Sequence, residues 1–459
     1  MDIVMIGAGY VGLTTGACLA ELGHRVTCVD NDISKVERLQ QAEIPIYEPG
    51  LSDLIRKHVD ARKLSFTDDP ASVVPQADAV FIAVGTPSGS DGDIDLSYVK
   101  GAAGGVAPLL KEGAVIVIKS TVVAGTAKMV RNLVKSVRGR DDVHVASNPE
   151  FLREGSAIRD FLEADRIVAG ADDEQAGEVL AEIYEPLTTN GVPFIITSTT
   201  NAEMIKYAAN AFLALKIGFI NEVADLCEAA GGDVAAVAEG IGLDSRIGRS
   251  FLNAGPGFGG SCFPKDTRAF AATGRRYNQP QAIVETLIER NEARKAALAE
   301  RILAEVKGTG KRVTILGTAF KANTDDVRDS AALTIIPLLM KEGVKVTAHD
   351  PKARHETERH VAGLVWADCA YEAATKADAV VILTEWEDYA NLDLGKLANS
   401  MNGRTVIDFR NLFQPQAVTS HGLKYISIGR KPAAPVERLK SRRTGAGSGN
   451  WSEIAAAPA

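Results

Sequence analysis

The stretch that decides the fold is Asp2-Ile3-Val4-Met5-Ile6-Gly7-Ala8-Gly9-Tyr10-Val11-Gly12, answered further along the chain by Asp30. A β-branched run enters a GxGxxG turn and leaves it in an apolar helical pattern, which reads as strand, turn and helix. Gly7 permits the tight turn, Gly9 lets the backbone approach a pyrophosphate, and Gly12 packs helix against strand. The N–H groups at the start of that helix would face the phosphates. Asp30 closes the second strand about twenty residues later, where a carboxylate accepts ribose hydroxyls and repels a 2′-phosphate, so the expected cofactor is NAD. Two later strands end at Thr86 and Thr121, which are either cofactor and water contacts or ordinary turn formers.

Outward from this turn the βαβ rhythm continues, with strand patterns at 24–30, 79–84, 114–120, 144–147 and 166–169. It predicts a parallel sheet covered by helices. The rhythm stops at a long helical pattern over 201–229, with more helix over 281–306, and returns at 312–316, 345–349, 379–383 and 405–408. The expected class is therefore α/β, with two Rossmann-like doubly wound domains joined by a long helical spine. The boundaries fall at 1–198, 199–308 and 309–430, before a tail, 431–459, rich in Pro, Ala, Gly, Ser and Arg that is expected to be disordered.

Composition narrows the function classes. The 459 residues are 46% hydrophobic and 24% charged, with a net charge of −8, so no global basic field invites nucleic acid. The apolar start, 3–20, lacks a basic leader and is broken by glycines, and no run of 18 apolar residues exists. No membrane partner and a cytoplasmic location are expected. The five cysteines show neither CxxC spacing nor a pairing pattern, so no metal and no disulfide framework is expected.

Four of those cysteines, Cys18, Cys28, Cys227 and Cys369, read as core residues. Cys262 differs, because it lies in Gly255-Pro256-Gly257-Phe258-Gly259-Gly260-Ser261-Cys262-Phe263-Pro264-Lys265-Asp266. Glycines there permit close substrate approach, and loop amides with Lys265 are expected to stabilise a thiolate. A nucleophilic cysteine beside NAD suggests a four-electron oxidation of an alcohol to an acid through a thioester. On the spine, Lys206 and Asn210 are four residues apart and share one helix face, which is either solvated or turned into a cleft.

The run 257–266, the blocks Asp244-Ser245-Arg246-Ile247-Gly248, Phe251-Leu252-Asn253-Ala254-Gly255 and Asn148-Pro149-Glu150-Phe151-Leu152-Arg153-Glu154-Gly155, and Phe320-Lys321-Ala322-Asn323-Thr324-Asp325-Asp326-Val327-Arg328-Asp329-Ser330 together resemble the nucleotide-sugar 6-dehydrogenases of the UDP-glucose/GDP-mannose dehydrogenase family. The resemblance runs in order over about residues 1–428. It implies UDP-glucose as substrate and UDP-glucuronate as product, with GDP-mannose the nearest rival. A GDP-mannose member usually has Leu at Phe263, and UDP-N-acetylhexosamine members usually have His at Ser261. One departure is the segment 120–126, where many members carry a proline before Gly125.

The same resemblance implies roles. Cys262 would be the nucleophile, Lys206 with Asn210 would stabilise the oxyanion, Glu150 and Thr121 would manage proton and water, and Asp266 would support hydrolysis. Gly7, Gly9, Val11, Gly12, Asp30, Lys35, Thr86, Thr121, Glu154, Lys265 and Arg328 would hold NAD. Glu150, Phe151, Leu152, Arg153, Glu154, Lys206, Asn210, Phe251, Leu252, Asn253, Ala254, Gly255, Gly259, Lys321 and Arg410 would hold the nucleotide sugar. Arg246 would reach a neighbouring subunit's substrate, which implies a homodimer built on the spine helix.

Overall fold

The computed structural model describes residues 1–89, 92–308 and 310–435, and two sheets organise them. The first is built from β1 (Asp2–Ile6), β2 (Arg25–Val29), β3 (Leu64–Thr67), β4 (Ala79–Ile82), β5 (Val115–Ile118), β6 (His144–Ser147), β7 (Ile167–Ala171) and β8 (Phe194–Thr197). Its spatial order is β3-β2-β1-β4-β5-β6-β7-β8. Every residue of β4 and β5 is buried, because helices cover both faces of a parallel sheet and leave no position for a polar side chain. The order reverses between β1 and β4, so their carboxyl ends open a crevice at Gly7 and at 83–86.

One pairing departs from the expected parallel rhythm: β7 runs antiparallel to β6, with Ser147 opposite Gly170. The chain leaving β6 stays at the crevice end through 148–166 and comes straight back, so no crossover restores the parallel direction. This places the Glu150–Glu154 segment over the crevice.

The second sheet, β9 (Arg312–Leu316), β10 (Lys345–His349), β11 (Val365–Trp366), β12 (Ala379–Ile382), β13 (Thr405–Asp408) and β14 (Lys424–Ser427), has the order β11-β10-β9-β12-β13-β14 and is parallel throughout. The two sheets joined by a long helix match the expected class. Strands β3, β8, β11 and β14 have no counterpart in the sequence reading.

The spine helix spans Thr199–Ala230, 32 residues or about 48 Å at 1.5 Å per residue. Ser198 caps its start through the Asn201 N–H, and Gly231, at φ 84°, ends it in the left-handed conformation that glycine adopts without strain. Its C-terminal half packs Ile220 and Ala224 against Leu298 and Ile302 of the helix Ala282–Val306 and against the second sheet. The spine thus belongs to both lobes. Phe212, Phe219 and Leu226, seven residues apart, leave it exposed by 53% to 67%. Among the described residues no helix is long and apolar enough to cross a membrane.

Two expectations are corrected or fall away. Cys369 is exposed, not in the core, because it caps the four-residue surface helix Ala370–Ala373 through the Glu372 N–H. Of the tail, Ala433 pairs with Tyr425, and 436–459 lie outside the described residues.

Candidate active site

Gly7 sits at φ +100°, and a Cβ on Gly12 would stand 1.9 Å from the Gly7 carbonyl oxygen, so both positions require glycine. Around Gly9, at the helix start, a Cβ would meet nothing within 4 Å. That free space beside helix-terminal N–H groups fits a pyrophosphate. The Asp30 carboxylate accepts the Ala8 N–H at 2.8 Å, the Asp32 N–H at 3.1 Å and the Lys35 ammonium at 2.9 Å. Burial opposes its charge, but Lys35 and these backbone donors outweigh burial and hold the carboxyl below its ordinary range. These residues fit a dinucleotide with free ribose hydroxyls.

The second lobe repeats this turn without the motif. Gly317, at φ +93°, donates to the His349 carbonyl at 2.9 Å, as Gly7 donates to Val29 at 2.8 Å. Asp350 accepts the Thr318 and Ala319 N–H groups at 2.7 and 3.0 Å, in the position Asp30 holds in the first lobe. The Trp386 indole N–H also binds Asp350, at 3.2 Å.

Cys262 lies between the lobes, as the cap residue of the helix Phe263–Arg276. Its loop is fixed from both sides. Asn291 accepts the Phe258 N–H and donates to the Phe258 carbonyl, at 2.9 and 3.0 Å, and the Gly260 N–H reaches the Arg328 carbonyl at 2.7 Å. A Cβ on Gly259 would stand 2.6 Å from the Asp329 carbonyl, and one on Gly260 would strike the Phe320 ring. Ser261 donates to Glu154 at 2.8 Å across to the first lobe, and its hydroxyl is 3.5 Å from the Cys262 sulfur.

Lys206 and Asn210 point inward and are buried, which decides between the two readings of that helix face. The Lys206 ammonium meets Glu150 at 3.0 Å, and Asn210 donates to Asp266 at 2.6 Å. Burial disfavours the Lys206 charge, but Glu150, Cys262 and Asp266 outweigh it and hold the ammonium above its usual range. Glu150 is the mirror case, with burial overcome by Lys206, the Leu152 N–H and the Lys119 charge. Lys206 is therefore a fixed cation beside the sulfur.

The surroundings of the sulfur favour the thiol over the expected thiolate. Burial, then Glu150, raises the Cys262 thiol to about 11, with Lys206 opposing and Asp266 adding to the rise. Lys265, expected beside the sulfur, instead donates to Asp266 at 2.6 Å. Glu154 is raised to about 7 by burial and by Asp326, against the pull of Ser261, Arg328 and Lys321.

The other expected residues divide. Phe151 is stacked by the Arg166 guanidinium at 3.7 Å from its ring centroid and lies 5.3 Å from the Lys206 ammonium. Arg153 turns away to Asp160, and Arg328 is held by Asp326. Arg410 donates to the Leu383 and Phe320 carbonyls at 2.7 and 2.6 Å, beside Gly255, whose N–H is taken by Asn221 at 2.8 Å. Burial lowers Lys321. Phe251 adopts φ 63° and sets its ring edge-on to Phe263. Arg246 lies apart from this cluster, its side chain 87% exposed and paired with Asp244.

Sequence reasoning missed three supports. Lys119, lowered to about 8 by burial, donates to Asn148 at 2.9 Å behind Glu150. Glu203 accepts the Gly125 and Ala127 N–H groups at 2.7 and 2.8 Å and so holds the loop that Thr121 opens. Asn221 had a detectable signal, a polar residue eleven positions after Asn210 in an apolar stretch.

Comparison with known proteins agrees with this geometry. The family descriptions for the UDP-glucose/GDP-mannose dehydrogenase family match residues 1–188 (NAD binding domain), 200–293 (central domain) and 314–415 (UDP binding domain). The chain is 48% identical over 435 residues to a UDP-glucose 6-dehydrogenase of Rhizobium meliloti (strain 1021), covering 94% of this chain and 100% of that one. It is 46% identical to UDP-glucose 6-dehydrogenase TuaD of Bacillus subtilis (strain 168), covering 93% of each. The solved structure of a UDP-glucose dehydrogenase from the hyperthermophilic archaeon Pyrobaculum islandicum superposes with a TM-score of 0.82 at 40% identity, covering 89% of this chain and 94% of that one. With a glycine turn of the same build in each lobe, a Cys-Lys-Asn-Asp-Glu cluster, and family matches along all three segments, the chain belongs to the UDP-glucose/GDP-mannose dehydrogenase family.

Proposed function

We propose that this protein oxidises UDP-glucose to UDP-glucuronate with NAD, using Cys262 as a covalent nucleophile. The observation that carries the reading is the gathering of Cys262, Lys206, Glu150, Asn210 and Asp266 between the two lobes. Asp30, Gly7, Gly9, Gly12 and Lys35 would hold NAD, with Val11, Thr86, Lys265, Glu154 and Arg328 around it. Bound NAD supplies the hydride acceptor for both oxidations.

The chain's own residues do the rest. After the C6 alcohol has become an aldehyde, the Cys262 sulfur adds to that carbon and the carbonyl oxygen becomes an oxyanion. The Lys206 ammonium, already buried and charged, stabilises that oxyanion without reorganising, with the Asn210 amide beside it. Glu150 and Asp266, the carboxylates whose charges act on the thiol, would be the bases that take its proton. Loss of the second hydride from the thiohemiacetal leaves a thioester. Water, positioned by Thr121 and Asp266, cleaves it and returns the free thiol and the acid. Glu150 to Glu154, the loop Phe251 to Gly255, Gly259, Lys321 and Arg410 would bind the nucleotide sugar. The exposed Phe212, Phe219 and Leu226 stripe supports a homodimer along the spine, from which Arg246 reaches the partner's substrate.

The test is NAD reduction with UDP-glucose, GDP-mannose and UDP-N-acetylglucosamine in parallel. Rapid reduction with UDP-glucose alone supports the assignment. Preference for GDP-mannose moves the substrate within the family, and no reduction with any of the three overturns the enzymatic reading.

A further inference from the structure

Glu48 belongs to no regular element, yet its side chain joins both halves of the site. It lies in Ile46-Tyr47-Glu48-Pro49-Gly50, between the helices Ile33–Gln40 and Leu51–Asp60, and is 5% exposed. Its Oε2 accepts the Tyr10 hydroxyl and, at 2.6 Å, the Gly155 N–H, and its Oε1 accepts the Ala157 N–H at 2.8 Å. Tyr10 is the first residue of the helix that opens the cofactor turn. Gly155 follows Glu154, which takes the Ser261 hydroxyl beside Cys262 at 2.8 Å and the Thr324 hydroxyl at 3.1 Å.

Both this segment and the one it holds touch the second lobe. The Lys352 ammonium stands 4.8 Å from the centroid of the Tyr47 ring, two residues after Asp350. Gly155, at φ +80°, packs so closely on Asn323 that a Cβ there would stand 2.7 Å from its carbonyl oxygen. A buried carboxylate is expensive unless its lone pairs are filled, and here they are filled by donors from the cofactor helix and from the segment 155–157.

We propose that Glu48 is a positioning residue for the oxidation, tying the first turn of the cofactor helix to the Glu150–Gly155 segment so that substrate and cofactor meet in one fixed register. The inference rests on the nucleotide-sugar reading above. Glu48 touches neither the sulfur nor the cofactor turn's phosphate-facing backbone, so its effect travels through Tyr10 and Gly155. Hydride transfer is steep in distance, and a displacement of about 1 Å costs up to roughly a hundredfold in rate while binding contacts survive.

The experiment compares Glu48→Gln and Tyr10→Phe with the unsubstituted enzyme, using UDP-glucose and its C6-dideuterated form, with active sites counted by titration with NADH. Tyr10→Phe removes one hydroxyl and keeps the ring, so it reports even where Glu48→Gln folds poorly. The expected result is a kcat lower by about tenfold or more in Glu48→Gln and by a smaller factor in Tyr10→Phe, KM values within about threefold, and a larger deuterium effect on kcat in both. Unchanged kcat and deuterium effect per active site, with loss confined to melting temperature, overturns the proposal and leaves Glu48 a structural strap. Failure of the unsubstituted enzyme to oxidise any nucleotide sugar refutes the functional reading instead, and that arm is read first.

Discussion

Cys262 should be a slow thiol in the resting enzyme. The perturbation is pH, applied while the protein is alkylated with iodoacetamide and the label at Cys262 is followed by peptide mass analysis. With the thiol raised to about 11, about one molecule in 1000 carries a thiolate at pH 8, against about a quarter for an unperturbed cysteine. A thiolate of higher pKa is intrinsically more nucleophilic, which returns roughly 10- to 20-fold. The net expectation is a rate roughly 20-fold below that of the same residue in urea-denatured protein, still climbing beyond pH 10. Exposed Cys369 serves as the internal reference in the folded chain. Glu150→Gln removes the largest charge contribution to the shift, and each unit it recovers is worth about tenfold in thiolate, so alkylation of that variant should be several-fold faster. A rate that levels off at or below pH 9, or that matches Cys369 at pH 8, refutes the reasoning, because access alone does not change the pH at which the profile turns.

Other outcomes follow from the same geometry. Asp30→Ala should raise the KM for NAD by roughly tenfold or more, since a charge-assisted hydrogen bond contributes about 1.5–3 kcal/mol, and should admit NADP by freeing Lys35. Equal use of NAD and NADP by the unsubstituted enzyme contradicts the role of Asp30. Gly12→Ala should abolish NADH binding, read by its fluorescence, because the new Cβ would stand 1.9 Å from a carbonyl oxygen. Arg246→Ala should raise the KM for UDP-glucose with little change in melting temperature, as its side chain is 87% exposed. Co-expression with Cys262→Ser should then restore activity, because the mixed dimer holds one complete site, and no restoration removes Arg246 from the partner's site.

What the sequence made legible is what local backbone chemistry dictates. The cofactor turn is readable because Gly7 and Gly12 are positions where a side chain collides, and β4 and β5 because both their faces are buried. The missed strands are short or marginal: β11 has two residues, and β8 leaves Ile195 and Ile196 exposed at a sheet edge, without the alternation that marks a half-buried strand. The second lobe's turn was invisible because it needs one glycine, Gly317, where the first spends three. Cys262, Lys206 and Asn210 stood out as polar or reactive groups in glycine-rich or apolar company. The contacts that support them did not, because Ser261 and Glu154 are 107 positions apart and Glu48 and Gly155 are likewise 107 apart. The surroundings that disfavour a thiolate were hidden for a related reason. Lys265 is near Cys262 in sequence, but its ammonium goes to Asp266, and burial governs the sulfur.

Covalent four-electron chemistry at Cys262 is tested most directly by the NADH yield from limiting UDP-glucose with excess NAD, for the native enzyme and for Cys262→Ser. Such chemistry yields two NADH per UDP-glucose from the native enzyme and no UDP-glucuronate from the variant. A native yield of one NADH, or turnover to the acid by Cys262→Ser, contradicts it.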